Sequence, residues 1–311
     1  MNIMVLGAAG FIGTNLTAGL KKNSTDSITL VDSRMDFFEP TKKMGFNNIS
    51  YIESEFNASI DFEELTYGQD YIYHLVSTSI PTNSNQRIQH ELTENVISTT
   101  KLVEACVKNN IKRLTFISSG GTVYGKEGVY PLSENAETNP INSYGLQKLT
   151  IEKMLYLYQL MYGFDYRVVR LSNPYGPHQR PNGILGVVTT FVYKALNGQK
   201  ITVYGDGSVV RDFIYVDDAI RAIINVANSE SDNKRIFNVG CGYGTSVNQV
   251  IETIKNTLKK ELDIEYIASR PVDVPINYLD ISRYEQTFGT LNPITLADGV
   301  IKTAHFFNTA L

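Results

Sequence analysis

The stretch Asn2-Ile3-Met4-Val5-Leu6-Gly7-Ala8-Ala9-Gly10-Phe11-Ile12-Gly13 decides how the chain is read. Asn2–Leu6 is a short apolar run and reads as a buried strand. Glycines follow at spacings of three and three, and they open a helical segment, Gly13–Leu20. Gly7 lets the chain reverse sharply. Gly10 lets backbone amides, those of Phe11 and Ile12 among them, approach a pyrophosphate. Gly13 lets helix and strand pack closely, and the helix N-terminus adds partial positive charge. Any tight strand–helix turn could use such a trio. Here Asp32 ends the second strand, 19 residues after Gly13, where a carboxylate can accept from both ribose hydroxyls of adenosine. The pattern predicts dinucleotide binding. Asp32 favours NAD over NADP, because a 2′-phosphate would meet its charge. Arg34 is a counter-signal, since arginine pairs with such a phosphate; its plainer reading is a solvated loop residue.

Outward from this loop the first half keeps one rhythm. Strands are expected at Ser27–Val31, Ile49–Ile52, Tyr71–Val76, Arg113–Ser118 and Tyr166–Leu171, with helices at Thr93–Asn109 and Tyr144–Tyr162. Alternating strands and helices imply parallel pairing with helices on both faces, an α/β doubly wound Rossmann-type sheet. After it comes a Pro/Gly-rich stretch, Asn173–Gly186, which reads as a loop. The later rhythm is less regular, with a strand at Ile201–Tyr204 and helices at Asp217–Ala227 and Val247–Leu258. The expected division is a cofactor domain over residues 1–172 and a smaller substrate-binding lobe mostly over 173–311, with segments around 205–240 returning to the first domain.

Composition narrows the function classes. The chain has 311 residues, 42% of them hydrophobic, and 28 basic against 32 acidic residues. That suits a folded chain without a broad basic surface for nucleic acid or anionic lipid. No apolar run approaches the roughly 18–20 residues of a spanning helix. The N-terminus starts directly in a strand-like run, so no signal peptide is expected, and two distant cysteines, Cys106 and Cys241, fit a reducing cytoplasm. The four histidines lack zinc-like spacing with one another or with cysteine, so no metal is expected.

Tyr144 and Lys148 stand four apart on a predicted helix that Asn142 or Ser143 could cap, so both face one side. A tyrosine near its usual pKa of ~10 is a poor base at neutral pH. An adjacent ammonium and an oxidised nicotinamide would lower that value by stabilising phenolate. The spacing alone describes many surface pairs. It gains meaning from the glycine loop and from Ser118-Ser119-Gly120-Gly121-Thr122-Val123-Tyr124-Gly125. That run ends an apolar strand, where parallel sheets bind ligands.

These residues, with His74-Leu75-Val76, Asn95, Arg170–Pro177, Arg211–Asp218 and Arg270-Pro271-Val272-Asp273, make the chain resemble a known family over nearly its whole length. It is the extended short-chain dehydrogenase/reductase family, and within it the nucleotide-sugar epimerases of the UDP-galactose 4-epimerase type. The resemblance implies an NAD-dependent UDP-hexose 4-epimerase working through a 4-keto sugar, and a homodimer. It makes Tyr144 the base and Lys148 its partner, the latter also holding the nicotinamide ribose. Leu75, Val76, Asn95 and Ser118 join the cofactor contacts. Asn173, Arg211 and Arg270 bind the substrate diphosphate, Val203 lies in the base pocket, and Asp273 accepts from the nucleotide ribose. Other enzymes of the superfamily, a reductase, dehydratase or decarboxylase, remain alternatives, as does an NAD-sensing protein without catalysis.

Three departures from the family pattern matter. The usual Ser or Thr three residues before Val-Tyr-Gly is Gly120 here, so Ser119, with Thr122 close behind, is expected to assist Tyr144. Dehydratases place an Asp-Glu pair where this chain has Gly121 and Thr122, and decarboxylases usually have Glu at the place of Thr122. Asn277 stands where a bulky tyrosine would exclude N-acetylated sugars, so an N-acetylhexosamine substrate is admitted.

Overall fold

A computed structural model describes residues 1–22, 25–82, 84–126, 128–181, 186–230, 233–269 and 274–310. Six strands, β1 (Asn2–Leu6), β2 (Ser27–Asp32), β3 (Ile49–Glu53), β4 (Tyr71–His74), β5 (Arg113–Ser119) and β6 (Tyr166–Leu171), share one sheet with Ile236–Val239. The order is Ile236–Val239, β6, β5, β4, β1, β2, β3, and all pairs are parallel. Strand order reverses at β1, which lies between β2 and β4. Ligands bind at such a switch point, beyond the carboxyl ends of the strands, and Gly7 stands there.

Side chains of successive strand residues point to opposite faces, and β1 uses both. Met4 and Leu6 pack with Leu102, Leu114, Phe116 and Val168 on one side. Ile3 and Val5 pack with Leu16, Val169, Ile220 and Ile223 on the other. The doubly wound arrangement expected from the alternation is therefore present, with helices burying both faces.

The helix carrying Tyr144 and Lys148 spans Ser143–Tyr162. Of its two candidate caps the structure uses Asn142, whose side chain accepts from the Gly145 amide at 2.8 Å. It ends at Gly163, whose φ of 67° is left-handed and suits glycine. The helix expected over Thr93–Asn109 is not uniform. Leu92–Ile97 winds as a π-helix before Ser98–Lys108 continues as an α-helix.

Two other readings needed correction. Asn173–Tyr175, inside the predicted loop, is a short strand because it pairs in parallel with Phe213–Tyr215, far away in sequence. The helices Ser282–Phe288 and Leu296–Ala310 were not anticipated. In the lobe, Ile201–Tyr204 forms as expected and pairs with Ile264–Ile267. Among the described residues, no helix is long and apolar enough to cross a membrane. Nor does any group of three or more His, Cys, Asp or Glu there suit a metal ion.

Candidate active site

The glycine loop is built around two different constraints. A Cβ on Gly13 would sit 2.5 Å from the Ala8 Cα and 2.5 Å from the Gly7 carbonyl oxygen. Only glycine lets the helix Phe11–Lys21 lie that close to the turn. Gly7 has φ +81° and lies against Leu75 and Val76. Gly10 is different. It is exposed, its backbone is ordinary extended chain, and the nearest atom to an added Cβ is 3.4 Å away. The protein's own packing does not demand glycine there, whereas close approach by an outside group would. Gly10 caps the helix without a side chain, and the first amides of a helix lack intrahelical partners. Asp32 closes the loop: Oδ2 accepts from the Ala9 amide at 2.9 Å and Oδ1 from the Ser33 amide at 2.8 Å. Arg34 is tied to Asp36 at 2.6 Å and lies over Phe37. This set of a glycine cradle, helix amides and a carboxylate at the end of β2 fits a dinucleotide.

A cavity of about 690 Å³ runs on from the loop, within the size range of small-molecule sites. Phe11, Ile12 and Leu75 line one end, Ser118, Ser119, Thr122, Tyr144 and Lys148 its middle, and Asn173, Val203 and Arg211 the lobe end. Val76 packs beneath Gly7, and Asn95 is buried behind the wall. Arg270 and Asp273 lie outside the described residues.

Ser119 stands beside Tyr144, near enough for its hydroxyl to favour the phenolate. They meet because Gly145 lets the helix start against the 119–122 turn: a Cβ there would stand 2.7 Å from the Thr122 carbonyl oxygen. The Thr122 hydroxyl is buried without a partner. At Gly120 an added Cβ would stand 2.5 Å from Leu279 Cδ1, so a hydroxyl residue there requires the Leu279 side chain to shift. Asn277 is fully buried behind this turn, its amide donating to the Gly120 carbonyl at 3.3 Å.

In the protein alone, burial pushes the Tyr144 phenol up to about 12, with the neighbouring Ser119 hydroxyl pulling the other way. The Lys148 ammonium does not bring it down, because Nζ donates to the Ile117 carbonyl at 2.9 Å and lies 5.7 Å from the Tyr144 ring. Burial also pulls Lys148 down to about 7, against the opposing charge of Glu152. Ser118 lines the cavity while its hydroxyl donates to Glu152 in the core.

Several residues escaped the sequence reading. Lys194, on the helix Val187–Leu196, adds a cation to the lobe end of the cavity. Asp212 is buried and accepts from the amides of Cys241, Gly242 and Leu279, so it fixes the turn beside Arg211. Burial pushes it up to about 6. Asn173 donates to its carbonyl at 3.0 Å. No local pattern marks Lys194 or Asp212, because their partners are distant in sequence.

A Rossmann sheet, a glycine cradle and a Tyr/Lys pair beside a strand-end serine together define an extended short-chain dehydrogenase/reductase. The chain belongs to the NAD dependent epimerase/dehydratase family, whose model matches residues 3–240, and its cofactor is NAD. The chain is 30% identical over 313 residues to the UDP-glucose 4-epimerase of Mycolicibacterium smegmatis, covering 99% of this chain and 98% of the relative. Two solved structures superpose with TM-scores of 0.91, each covering 100% of this chain and 99% of the other. One is the UDP-glucose 4-epimerase of Thermotoga maritima with UDP-glucose, 31% identical. The other is the UDP-N-acetylglucosamine 4-epimerase of Methanobrevibacter ruminantium in complex with UDP-N-acetylmuramic acid, 29% identical.

The two glycines give a paired test. Gly13→Ala is expected to lower stability by about 2 kcal/mol or more, because backbone atoms must move. Gly10→Ala should stay within about 1 kcal/mol of the parent yet weaken NAD binding about tenfold or more. Urea unfolding and calorimetric titration with NAD check both. Undiminished NAD affinity in Gly10→Ala would remove the loop from the cofactor site.

Proposed function

We propose that the protein is an NAD-dependent UDP-hexose 4-epimerase acting on UDP-glucose/UDP-galactose, on their N-acetylated counterparts, or on both. The observation that carries this reading is the inventory of acid–base groups in the cavity. Among its described lining residues there is no Asp, Glu or His; there are Tyr144, Tyr175, Tyr204, Lys148 and Lys194. A sugar dehydratase needs further groups to remove the C5 proton and protonate the leaving hydroxyl. The positions that would supply them are Gly121 and Thr122. Epimerisation at C4 needs one base and a reversible hydride acceptor.

In this reading residues 1–172 carry the cofactor and 173–311 most of the substrate lobe. The Gly7–Gly13 loop, with the Phe11 and Ile12 amides, would hold the pyrophosphate, Asp32 the adenosine ribose and Lys148 the nicotinamide ribose. The chemistry supplied by bound NAD is reversible acceptance of the C4 hydride, with a positive ring in the oxidised form. Tyr144 takes the proton from the sugar O4 and returns it, and Ser119, beside the phenol, donates to O4. The 4-keto sugar turns about its diphosphate, which Asn173, Lys194 and Arg211 hold with Arg270. Arginine suits this role because its fork meets two oxygens at once. Asp273 accepts from the nucleotide ribose, and Val203 walls the base. Asn277 is buried off the described cavity wall, so it does not itself gate an acetamido group.

The purified protein should interconvert the C4 epimers of UDP-glucose or UDP-N-acetylglucosamine with no net change in NAD, as separation of products will check. Accumulation of a 4-keto product, or net consumption of a reduced nicotinamide, would overturn the epimerase reading in favour of a dehydratase or reductase. Tyr144→Phe is expected to keep NAD affinity and lose turnover by about a thousandfold or more, at the scale of general acid–base catalysis. Full activity in that variant removes Tyr144 from the chemistry.

A homodimer belongs to the same proposal. The outer side of the helix Ser143–Tyr162 exposes Leu146, Tyr156, Leu157, Leu160 and Met161, each 45% or more accessible. Tyr156 and Leu160, and Leu157 and Met161, are four apart and adjacent on the helix surface. Such a contiguous apolar face suits a second copy of the chain. Light scattering should give a dimer mass for the parent and a monomer mass for Leu157→Glu/Leu160→Glu. A parent monomer at micromolar concentration contradicts this.

A further inference from the structure

Gln147 stands between Tyr144 and Lys148 on the same helix and does not line the cavity. It is 2% exposed, inside a closed polar cluster. Its Nε2 donates to Ser143 Oγ at 2.8 Å and to Glu91 Oε2 at 3.0 Å. Its Oε1 accepts from Asn95 Nδ2 at 2.7 Å and from Ser79 Oγ at 3.3 Å. Asn95 in turn accepts from the Thr78 amide and donates to the Glu91 carbonyl, both at 3.0 Å. Both donors and both lone pairs of the Gln147 amide are thus engaged. Asn95 sits within the π-helical stretch Leu92–Ile97, a winding often found at functional sites.

A second clip joins the same two regions. Asn85, exposed at the surface, accepts from the Ser143 amide at 2.8 Å. That amide is at the start of the helix, where no intrahelical partner exists. Between the clips runs the chain that supplies Pro81 and Thr82 to the cavity wall, and Ser77, also on that wall, immediately precedes the first clip. The wall is therefore fastened to the first turn of the helix that carries Tyr144.

We propose that Gln147 is a positioning residue that sets substrate affinity. Through Asn95, Ser79 and Glu91 it holds the 77–82 wall in register with Tyr144, and so presses the sugar toward the base. The proposal rests on the reading of the cavity as a nucleotide-sugar site. A buried amide left with unmade hydrogen bonds would loosen the wall, since each such loss costs on the order of 1–3 kcal/mol.

Gln147→Glu tests it, because it removes both donors and sets a carboxylate against Glu91. Glu91→Gln in the same chain restores a donor opposite an acceptor. In Gln147→Glu the KM for the UDP-sugar that the parent turns over is expected to rise about tenfold, with kcat changed less and NAD affinity within about twofold. Backbone hydrogen exchange should quicken in residues 77–82. The Gln147→Glu/Glu91→Gln double variant should return both readouts toward the parent. A fall in kcat with KM and exchange unchanged, or a double variant no better than the single, overturns the proposal. If Gln147→Glu does not fold, Asn85→Ala decides: it breaks the exposed clip alone, and unchanged exchange in 77–82 overturns the coupling. Exchange needs no turnover. A parent inert on every UDP-sugar would therefore sink the function proposed above while exchange still judged the clasp.

Discussion

The carboxylate of Glu152 and the guanidinium of Arg170 meet at 2.7 Å, with side chains only 1% and 4% exposed. Burying two charges costs several kcal/mol each unless they are paired and hydrogen-bonded. Here the pairing is forked, since Arg170 Nε also reaches Glu152 at 3.1 and 3.2 Å. Burial works against the Arg170 charge, yet the bonds and charge of Glu152 outweigh it and its pKa is raised. Ser118 donates to the same carboxylate, and the Tyr124 hydroxyl oxygen accepts a hydrogen bond from Arg170 at 3.0 Å. Glu152 lies one turn beyond Lys148, Arg170 is on β6, and Ser118 precedes Ser119 on β5. Tyr144, Lys148 and Ser119 are thus held by one ionic joint. From Tyr124 the contacts run on to Asn238 at 2.6 Å and from there to Glu134, which binds the returning strand Ile236–Val239 into the same frame.

This joint also shapes the electrostatics of the cavity. Glu152 is the charge that opposes the loss of the Lys148 proton, but burial prevails and brings that lysine to about 7. Tyr144 moves the other way, to about 12. The protein alone keeps its phenol protonated. A phenolate at neutral pH needs additional positive charge in the cavity, which is why a base of this type belongs with a cationic cofactor. Global charge says little about this. The chain carries −4 overall, while the described cavity wall has Lys148, Lys194 and Arg211 and no carboxylate.

Much of the fold was legible because its signals are local. The strand β1, its glycine turn and Asp32 read directly, and so did the parallel sheet. Alternation between the two faces of β1 needs only neighbouring residues. Tyr144 and Lys148 were legible as a pair because helical spacing puts them on one face. The strand Asn173–Tyr175 was hidden, since its partner is Phe213–Tyr215 and its own residues look like turn formers. Gln147, between Tyr144 and Lys148, carries no local signal. Its significance comes from Asn95, Ser79 and Glu91, which a β4 crossover brings beside it.

Local chemistry in the sequence was enough to specify a dinucleotide turn, a doubly wound sheet and a tyrosine–lysine pair, because glycine geometry, strand alternation and helical spacing act within a few residues. Folding alone set the burial that moves Tyr144 and Lys148 in opposite directions. It also set the Leu279 side chain against Gly120 and closed the clasp around Gln147. Each of these depends on atoms distant along the chain and on exclusion of water, and neither quantity is written in the order of the residues.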